Sequence, residues 1–212
     1  MKKIVILISG RGSNMQALLE AKLPCHIAAV ISNRADAHGL SIAQAHGIPT
    51  ATVAHRDHAD RDSFDAELAK KIDAFQPDFV LLAGFMRILT ADFVKHYHGR
   101  LINIHPSLLP AYSGTNTHAR ALHDAVKIHG CTVHFVSPEL DRGAIIIQAA
   151  VPVLQHDTDK TLAARVLHEE HRIYPQAVRW LCQNQIELSE QGQVTYKYRK
   201  QCGFALISPG LE

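Results

Sequence analysis

Two polar side chains, two positions apart, interrupt an apolar segment that ends at a proline. The segment, residues 101–110, reads Leu-Ile-Asn-Ile-His-Pro-Ser-Leu-Leu-Pro. Alternate side chains of an extended strand share a face, so Asn103 and His105 are expected to point the same way. Pro106 disfavours helix at His105, which places both groups at a strand end, where α/β proteins bind ligands. An amide donor beside an imidazole suits oxyanion stabilisation and proton transfer. The alternative is a buried strand whose polar groups bond to neighbouring backbone.

A glycine-containing loop after the first strand is a second candidate site. Residues 2–8 are expected to form a strand, and their apolar part, residues 4–8, is followed by Ser-Gly-Arg-Gly. Ser13 and Gln16 have the spacing of a capping box, which would start a helix over residues 14–21. Strand, glycine loop and helix N-terminus can cradle a phosphate, because free N–H groups and the helix dipole face the anion. The spacing is neither Gly-x-Gly-x-x-Gly nor a Walker loop. On spacing alone, a tight turn and a phosphate site both stay open.

The elements that must position these groups alternate along the chain. Their order predicts an α/β fold with a doubly wound, mainly parallel sheet and antiparallel C-terminal strands. In the last long helix, Pro175 is expected to produce a kink or an end. Besides 2–8 and 99–104, strands are expected at residues 26–32, 50–53, 78–83, 131–136 and 144–153, with a terminal hairpin of 186–188 and 194–198. Besides 14–21, helices are expected at residues 41–46, 60–75, 91–97, 118–127 and 158–182.

Composition limits the class of protein. The chain has 212 residues, of which 47% are hydrophobic and 20% charged, with a formal net charge of +2. One domain is expected, without a basic field for nucleic acid and without the apolar run of roughly 20 residues that spans a membrane. Four cysteines without a Cys-x-x-Cys pair are typical of a reduced cytoplasm. They are Cys25, Cys131, Cys182 and Cys202.

A metal site is not predicted. His168 and His171 lie three positions apart, whereas the metalloprotease helix motif places its histidines four apart. Apart from His105, the remaining histidines of the 15 in the chain do not cluster in sequence with cysteines or helix-spaced carboxylates. They are expected to be solvated surface residues.

Five motifs resemble the folate-dependent formyltransferases, in the order expected for that family, and together they extend over most of the chain. The resemblance implies a Rossmann-like formyltransferase fold in a single domain, residues 1–212. It implies transfer of a formyl group from 10-formyltetrahydrofolate, as co-substrate, to the primary amine of glycinamide ribonucleotide, without a metal, in a cytoplasmic monomer or homodimer. The motifs are Ile-Ser-Gly-Arg-Gly-Ser-Asn (8–14), Leu-Ala-Gly-Phe-Met-Arg-Ile-Leu (82–89), Asn-Ile-His-Pro-Ser-Leu-Leu-Pro (103–110), Glu-Leu-Asp-Arg-Gly (139–143) and Glu-His-Arg-Ile-Tyr-Pro (170–175).

The resemblance also implies roles for individual residues. A catalytic role falls on Asn103, His105 and Asp141, although an aspartate in a turn is usually just a turn former. The half up to about residue 100 is expected to hold the phosphate, and the half from about 101 to 212 the folate and the catalytic groups. Contacts with the phosphorylated substrate fall on Gly12, Ser13, Asn14 and Glu170. Contacts with the folate fall on Arg61, Met86, Arg87, Ile88, Leu89 and Asn103.

Three residues depart from the family pattern, and three other functions compete. Ser113 and Ala144 stand where proline is usual, and Leu167 stands where glutamine is frequent. Hydrolysis of formyltetrahydrofolate would use the same catalytic groups, but the known hydrolases carry an additional amino-terminal domain, whereas this chain starts at its first strand. Formyl transfer to initiator tRNA is disfavoured because the family member with that activity has a carboxy-terminal tRNA-binding domain, which is not expected in this chain. A non-catalytic nucleotide-binding module of flavodoxin-like architecture would leave the catalytic groups unexplained.

Overall fold

Helices and strands alternate from the first residues, in a computed structural model that describes residues 1–197 together with Leu206 and Ser208. Tyr198, at the end of the predicted hairpin, and Cys202 lie outside the described residues. The strands are β1 (Lys2–Ile8), β2 (Cys25–Ser32), β3 (Thr50–Thr52), β4 (Phe79–Leu82), β5 (Leu101–His105), β6 (Ile128–Phe135), β7 (Ile145–Pro152), β8 (Ile186–Leu188) and β9 (Val194–Tyr196). The α-helices are α1 (Ser13–Glu20), α2 (His38–Ala45), α3 (Arg61–Asp73), α4 (Ala91–His96), α5 (Thr117–His123) and α6 (Asp159–Cys182).

Seven of these strands form one sheet in the order β3-β2-β1-β4-β5-β6-β7. The first five strands of that order run parallel to one another. β6 pairs antiparallel with β5, and β7 pairs antiparallel with β6. β8 and β9 pair as a separate antiparallel hairpin. The predicted fold class is therefore confirmed. Because the strand order reverses between β1 and β4, a crevice opens at the carboxyl ends of these strands, where such folds bind ligands.

The apolar side chains of β1 alternate between two buried cores, one on each face of the sheet. Ile4 and Ile6 pack in the core that includes α1, α2 and α6, whereas Val5 and Leu7 pack in the core that includes α3 and α4. This alternation follows from the two-residue period of a strand. A strand covered on both faces needs an unbroken apolar run, which explains the composition of residues 4–8. The two cores hold the carboxyl edge of the sheet in place.

Helix α1 begins differently from the sequence prediction. Gly12 is its N-cap, with a left-handed φ of 78°. Among the described residues, no side chain makes a capping hydrogen bond to the start of this helix. Ser13 is the first helical residue and the Gln16 side chain donates to Glu20, so the predicted capping box is wrong. The cause is a close backbone approach, because a Cβ on Gly12 would lie 2.7 Å from the Cα of Gly39. The chain turns at a glycine, and the turn leaves Ser13 inside the helix.

Helix α6 continues through its proline. It spans 24 residues with Pro175 inside, so of the two effects predicted for Pro175, a kink or an end, the end is wrong. An interior proline costs a helix about 3 kcal/mol. Tyr174 and Val178, on either side, are buried in the core, and burial of each such side chain contributes about 1.5–3 kcal/mol. Packing therefore offsets the proline. Neither α6 nor any other helix of the described residues combines the length and apolar character that a membrane crossing needs.

Helix α5 is shorter than predicted and β6 is longer. The helix ends at His123, whereas the sequence predicts an end at residue 127. Ala125 adopts a left-handed φ of 52°, which a continuing helix does not allow. Ile128 already pairs with Pro152 in the β6–β7 hairpin. The predicted last turn of the helix, residues 124–127, is therefore the connection to β6 instead.

Candidate active site

Strand β5 carries the polar pair of the opening motif to the carboxyl edge of the sheet, between β4 and β6. Ile102 and Ile104 are buried in the core on one side of the strand. Asn103 lies opposite His134 in the antiparallel register with β6, and their side chains are in contact. His105 is buried and faces Asp141. The two polar residues therefore share the face away from the isoleucines and meet a common group of side chains.

The imidazole of His105 lies between a backbone carbonyl oxygen and a carboxylate oxygen. Its Nε2 is 3.0 Å from the backbone carbonyl oxygen of Tyr112. Because a carbonyl only accepts, Nε2 carries a hydrogen. Its Nδ1 lies 3.6 Å from Oδ2 of Asp141, which is an electrostatic contact and too long for a hydrogen bond. The geometry thus assigns a hydrogen to Nε2 and turns Nδ1 towards a carboxylate.

Asp141 is placed by its backbone and by a neighbouring loop. Its φ of 54° is left-handed, a conformation that aspartate and asparagine tolerate better than most residues. Oδ2 accepts a hydrogen bond of 2.8 Å from the backbone N–H of Gly114. The same loop is fixed by Arg120, which donates to the carbonyl of Ser113 at 2.6 Å and stacks over Tyr112. The turn of Asp141 is therefore tied to the loop that reaches His105.

His134 belongs to this group of side chains, and sequence reasoning missed it. Its side chain is 2% exposed, and Nε2 lies 3.9 Å from Oδ1 of Asp141. His134 and His129 are both buried in β6, between β5 and β7, so the expectation that the histidines are solvated is wrong for these two. The sequence did contain a signal for His134. Polar Thr132 and His134 alternate with apolar residues, as Asn103 and His105 do, so both would share one face of their strand.

The glycine loop meets α6 on the other side of the crevice. Nδ2 of Asn14 donates to Oε2 of Glu170 at 2.6 Å. Burial raises the pKa of Glu170, and the bond from Asn14 partly offsets that rise. Oδ1 of Asn14 is buried and has no hydrogen-bond partner among the described residues. Two residues 156 positions apart in the chain thus form one polar contact beside the Gly12 turn.

A cavity of about 980 Å³ extends from the glycine loop and α6 to the end of β5. Ile104 and Pro106, on either side of His105, line it. The predicted site residues in its lining are Gly12, Ser13, Asn14, Met86, Arg87 and Glu170. The predicted residues outside its lining, among those the structure describes, are Arg61, Ile88, Leu89, Asn103, His105 and Asp141. The basic residues that line it are Arg11, Arg34, Arg87 and Lys160. A smaller cavity of about 570 Å³ lies between α2 and β3.

The loop after β4 presents apolar side chains beside the larger cavity. Met86 is 77% exposed and Ile88 56% exposed, which is unusual for residues of this type. The loop is anchored at both ends, since the backbone N–H of Met86 donates to Ser9 and that of Thr90 donates to Asp65. The guanidinium of Arg87 stacks 4.9 Å from the ring centre of Phe64. An anchored loop with exposed apolar groups is a suitable wall for a flat ligand.

Comparison with known proteins places these features in context. Residues 2–178 match the family described as formyl transferase. A phosphoribosylglycinamide formyltransferase of Escherichia coli is 48% identical over 88% of this chain and 90% of its own length. The trifunctional purine biosynthetic protein adenosine-3 of Bos taurus is 43% identical over 92% of this chain, which corresponds to 20% of that longer protein.

Solved structures share the fold. A glycinamide ribonucleotide transformylase of Symbiobacterium toebii has a TM-score of 0.89 at 44% identity, and the match covers 92% of this chain and 94% of that one. A formyltetrahydrofolate deformylase of Pseudomonas syringae has a TM-score of 0.85 at 29% identity, over 92% of this chain and 65% of that one. The fold thus occurs with two outcomes for a formyl group, transfer and removal.

Proposed function

The chain belongs to the formyl transferase family, and we propose that it transfers the formyl group of 10-formyltetrahydrofolate to the amine of glycinamide ribonucleotide in purine biosynthesis. One observation carries this proposal. A cavity extends from the Gly12 loop to Ile104 and Pro106 at the end of β5, and Asn103, His105 and Asp141 lie together around that strand end, outside the lining. An anion cradle at one end and a pair of oxyanion donors at the other suit a phosphorylated acceptor whose amine attacks a carbonyl carbon.

We assign the phosphate of the acceptor to the backbone of Gly12, Ser13 and Asn14. The left-handed turn at Gly12 lets backbone N–H groups at the start of α1 approach an anion, and the helix dipole favours its charge. Lys160 of α6 lines the same cavity and adds positive charge. Glu170 is held by Asn14. When ionised, its carboxylate accepts hydrogen bonds, which suits the hydroxyl groups of a ribose.

We assign the formyl donor to the wall formed by Met86, Arg87, Ile88 and Leu89, with Asn103 at its reacting end. The exposed methionine and isoleucine fit a flat heteroaromatic ring, because the ring would cover apolar surface that is otherwise in contact with water. Arg61, at the exposed start of α3, can pair with a carboxylate of the donor. The bound donor supplies an activated formyl carbon on N10.

The chemical step needs no nucleophile from the protein. The bond from the acceptor nitrogen to the formyl carbon forms, the bond from that carbon to N10 breaks, one proton leaves the amine and one reaches N10. Asn103 donates an amide hydrogen to the formyl oxygen as negative charge develops there. His105 adds a second donor. When the formyl donor binds, the Nε2–H of His105 leaves the carbonyl of Tyr112 and donates to the formyl oxygen instead. Orientation of amine and carbonyl in one cavity supplies much of the remaining rate enhancement.

Asp141 supports this chemistry through its charge. A carboxylate 3.6 Å from the ring of His105 stabilises positive charge on that ring while the oxyanion exists. It also offers an acceptor for a proton that leaves the amine, directly or through water. Both functions require an ionised side chain at this position.

The experiment follows consumption of 10-formyltetrahydrofolate by the purified chain, with and without glycinamide ribonucleotide. Transfer predicts that donor loss requires the acceptor and saturates with it. Equal donor loss without acceptor would establish hydrolysis and contradict the proposal. Absence of donor loss in both arms, with a folded protein, would favour a non-catalytic module.

A further inference from the structure

The hydrogen bond between Asn103 and His134 determines which end of the Asn103 amide faces the reacting formyl group. Nδ2 of Asn103 and Nε2 of His134 are 3.2 Å apart. Two nitrogens can share a hydrogen bond only if one donates and the other presents a lone pair. An amide nitrogen only donates, so Nε2 of His134 accepts.

A second contact fixes this tautomer. Nδ1 of His134 lies 2.8 Å from the backbone carbonyl oxygen of Phe135. The carbonyl only accepts, so Nδ1 carries the hydrogen of the neutral ring and Nε2 carries the lone pair. Burial lowers the pKa of His134, which keeps the ring neutral and agrees with this assignment. The chain of bonds therefore runs from Asn103 through His134 to the backbone of β6.

The amide has few other constraints. Within the described part of the chain, His134 is the side chain that hydrogen-bonds to Asn103. The terminal torsion of asparagine is broad and roughly two-fold, so an unheld amide can turn over. One orientation presents an N–H to the formyl oxygen and the other presents a carbonyl oxygen, which would repel the developing oxyanion. The antiparallel register that pairs Asn103 with His134 supplies the constraint.

We propose that His134 is a positioning residue, whose neutral Nε2 holds one hydrogen of the Asn103 amide so that the other hydrogen faces the formyl oxygen. The inference rests on the proposed role of Asn103. His134 itself stays out of reach of the substrates, since it is buried in β6 and bonded on both ring nitrogens. Its effect on the rate passes through Asn103.

The test is a double-mutant cycle on turnover. His134→Leu removes the acceptor and should lower kcat at least about tenfold, as expected for partial loss of an oxyanion donor, while the KM values change less than about threefold. His134→Gln, whose amide oxygen can accept, should recover most of the loss. The double variant Asn103→Ala/His134→Leu should be no slower than Asn103→Ala, because the positioning effect vanishes with its target.

Other outcomes separate the inference from the proposed function. Multiplied losses in the double variant would show that His134 acts independently of Asn103 and would overturn the inference. A slow Asn103→Ala variant together with a His134→Leu variant of normal turnover would also overturn the inference, and it would leave the proposed function intact. A normal Asn103→Ala would instead remove the role of Asn103. If His134→Leu does not fold, ¹⁵N NMR of the wild-type imidazole decides, because the inference requires hydrogen on Nδ1 and a lone pair on Nε2 near neutral pH.

Discussion

At the scale of single residues, the account depends most on Asn103. Replacement by alanine removes the amide donor, and loss of one oxyanion-hole donor costs about a hundred- to a thousandfold in kcat. The side chain is half-buried and lies outside the core, so the fold should persist. Steady-state kinetics of Asn103→Ala, with thermal unfolding as a control, measure the effect. Near-normal turnover in a folded variant would exclude Asn103 from the reaction.

Asp141→Asn tests charge separately from shape. Asparagine also tolerates the left-handed φ of 54° at this position, and its amide oxygen can still accept from the N–H of Gly114. The turn should therefore survive while the negative charge beside His105 is lost. We expect kcat to fall by about two orders of magnitude, typical for a lost acid-base partner, with ligand affinities little changed. A stable Asp141→Asn protein with full turnover would mean that Asp141 only shapes the turn.

Sequence reasoning reached Asn103 and His105 because both lie on one strand, whose two-residue period places them together. It did not reach His134, although Thr132 and His134 show the same alternation. Contact between Asn103 and His134 depends on which residues face each other across β5 and β6, and this register is a property of the folded sheet. Residues that act through a partner on another strand are therefore hard to find in one sequence.

At the scale of elements, the turn before α1 offers a matched pair of variants. Gly12→Val places a side chain at a left-handed φ of 78° and a Cβ 2.7 Å from the backbone of Gly39, so the cradle must distort. Gly10→Ala is the control, because a Cβ there has nothing within 4 Å among the described atoms. We expect at least about a tenfold weaker affinity for glycinamide ribonucleotide in Gly12→Val, which corresponds to about 1.4 kcal/mol.

Titration calorimetry with each ligand measures this prediction. Affinity for the formyl donor should change much less than affinity for the acceptor, and Gly10→Ala should resemble the wild type. An equal loss of both affinities in a folded Gly12→Val protein would contradict a phosphate role for the turn.

The element boundaries show where local signals lose to packing. Ser13 and Gln16 have the sequence of a capping box, yet the approach of Gly12 to Gly39 sets the turn. Pro175 is a helix breaker in isolation, yet α6 passes through it because its neighbours are buried. Both outcomes depend on contacts distant in sequence. Local periodicity therefore identified the elements and misjudged their ends.

At the scale of the whole molecule, stability should depend on pH through a buried histidine. Burial, with a contribution from His118, lowers the pKa of His129 to about 4, against about 6.5 in an unfolded chain. Between these values the unfolded state binds more protons, so stability is lost as pH falls through this window. The contribution is no more than about 3–4 kcal/mol. Chemical unfolding of wild type and His129→Gln measures it, and the variant should lose less stability between pH 6.5 and 4. An equal loss in both proteins would contradict this assignment.

The overall architecture was predictable from the sequence because alternation of apolar strands and amphipathic helices leaves few topologies. The crevice follows from that topology, since strand order reverses between β1 and β4. The pairing of Asn14 with Glu170 does not follow from it, because α6 must first dock across the glycine loop. The division into a phosphate half and a folate half stays a prediction.

The fate of a labelled formyl carbon tests the central claim most directly. The purified chain would receive 10-formyltetrahydrofolate with ¹³C in the formyl group, together with saturating glycinamide ribonucleotide, and ¹³C NMR would follow the products. Direct transfer within one cavity predicts that the label enters the formamide of the acceptor, one for each donor consumed, with no excess of labelled formate over an enzyme-free control. Label that accumulates as formate while the acceptor stays unmodified would contradict the account.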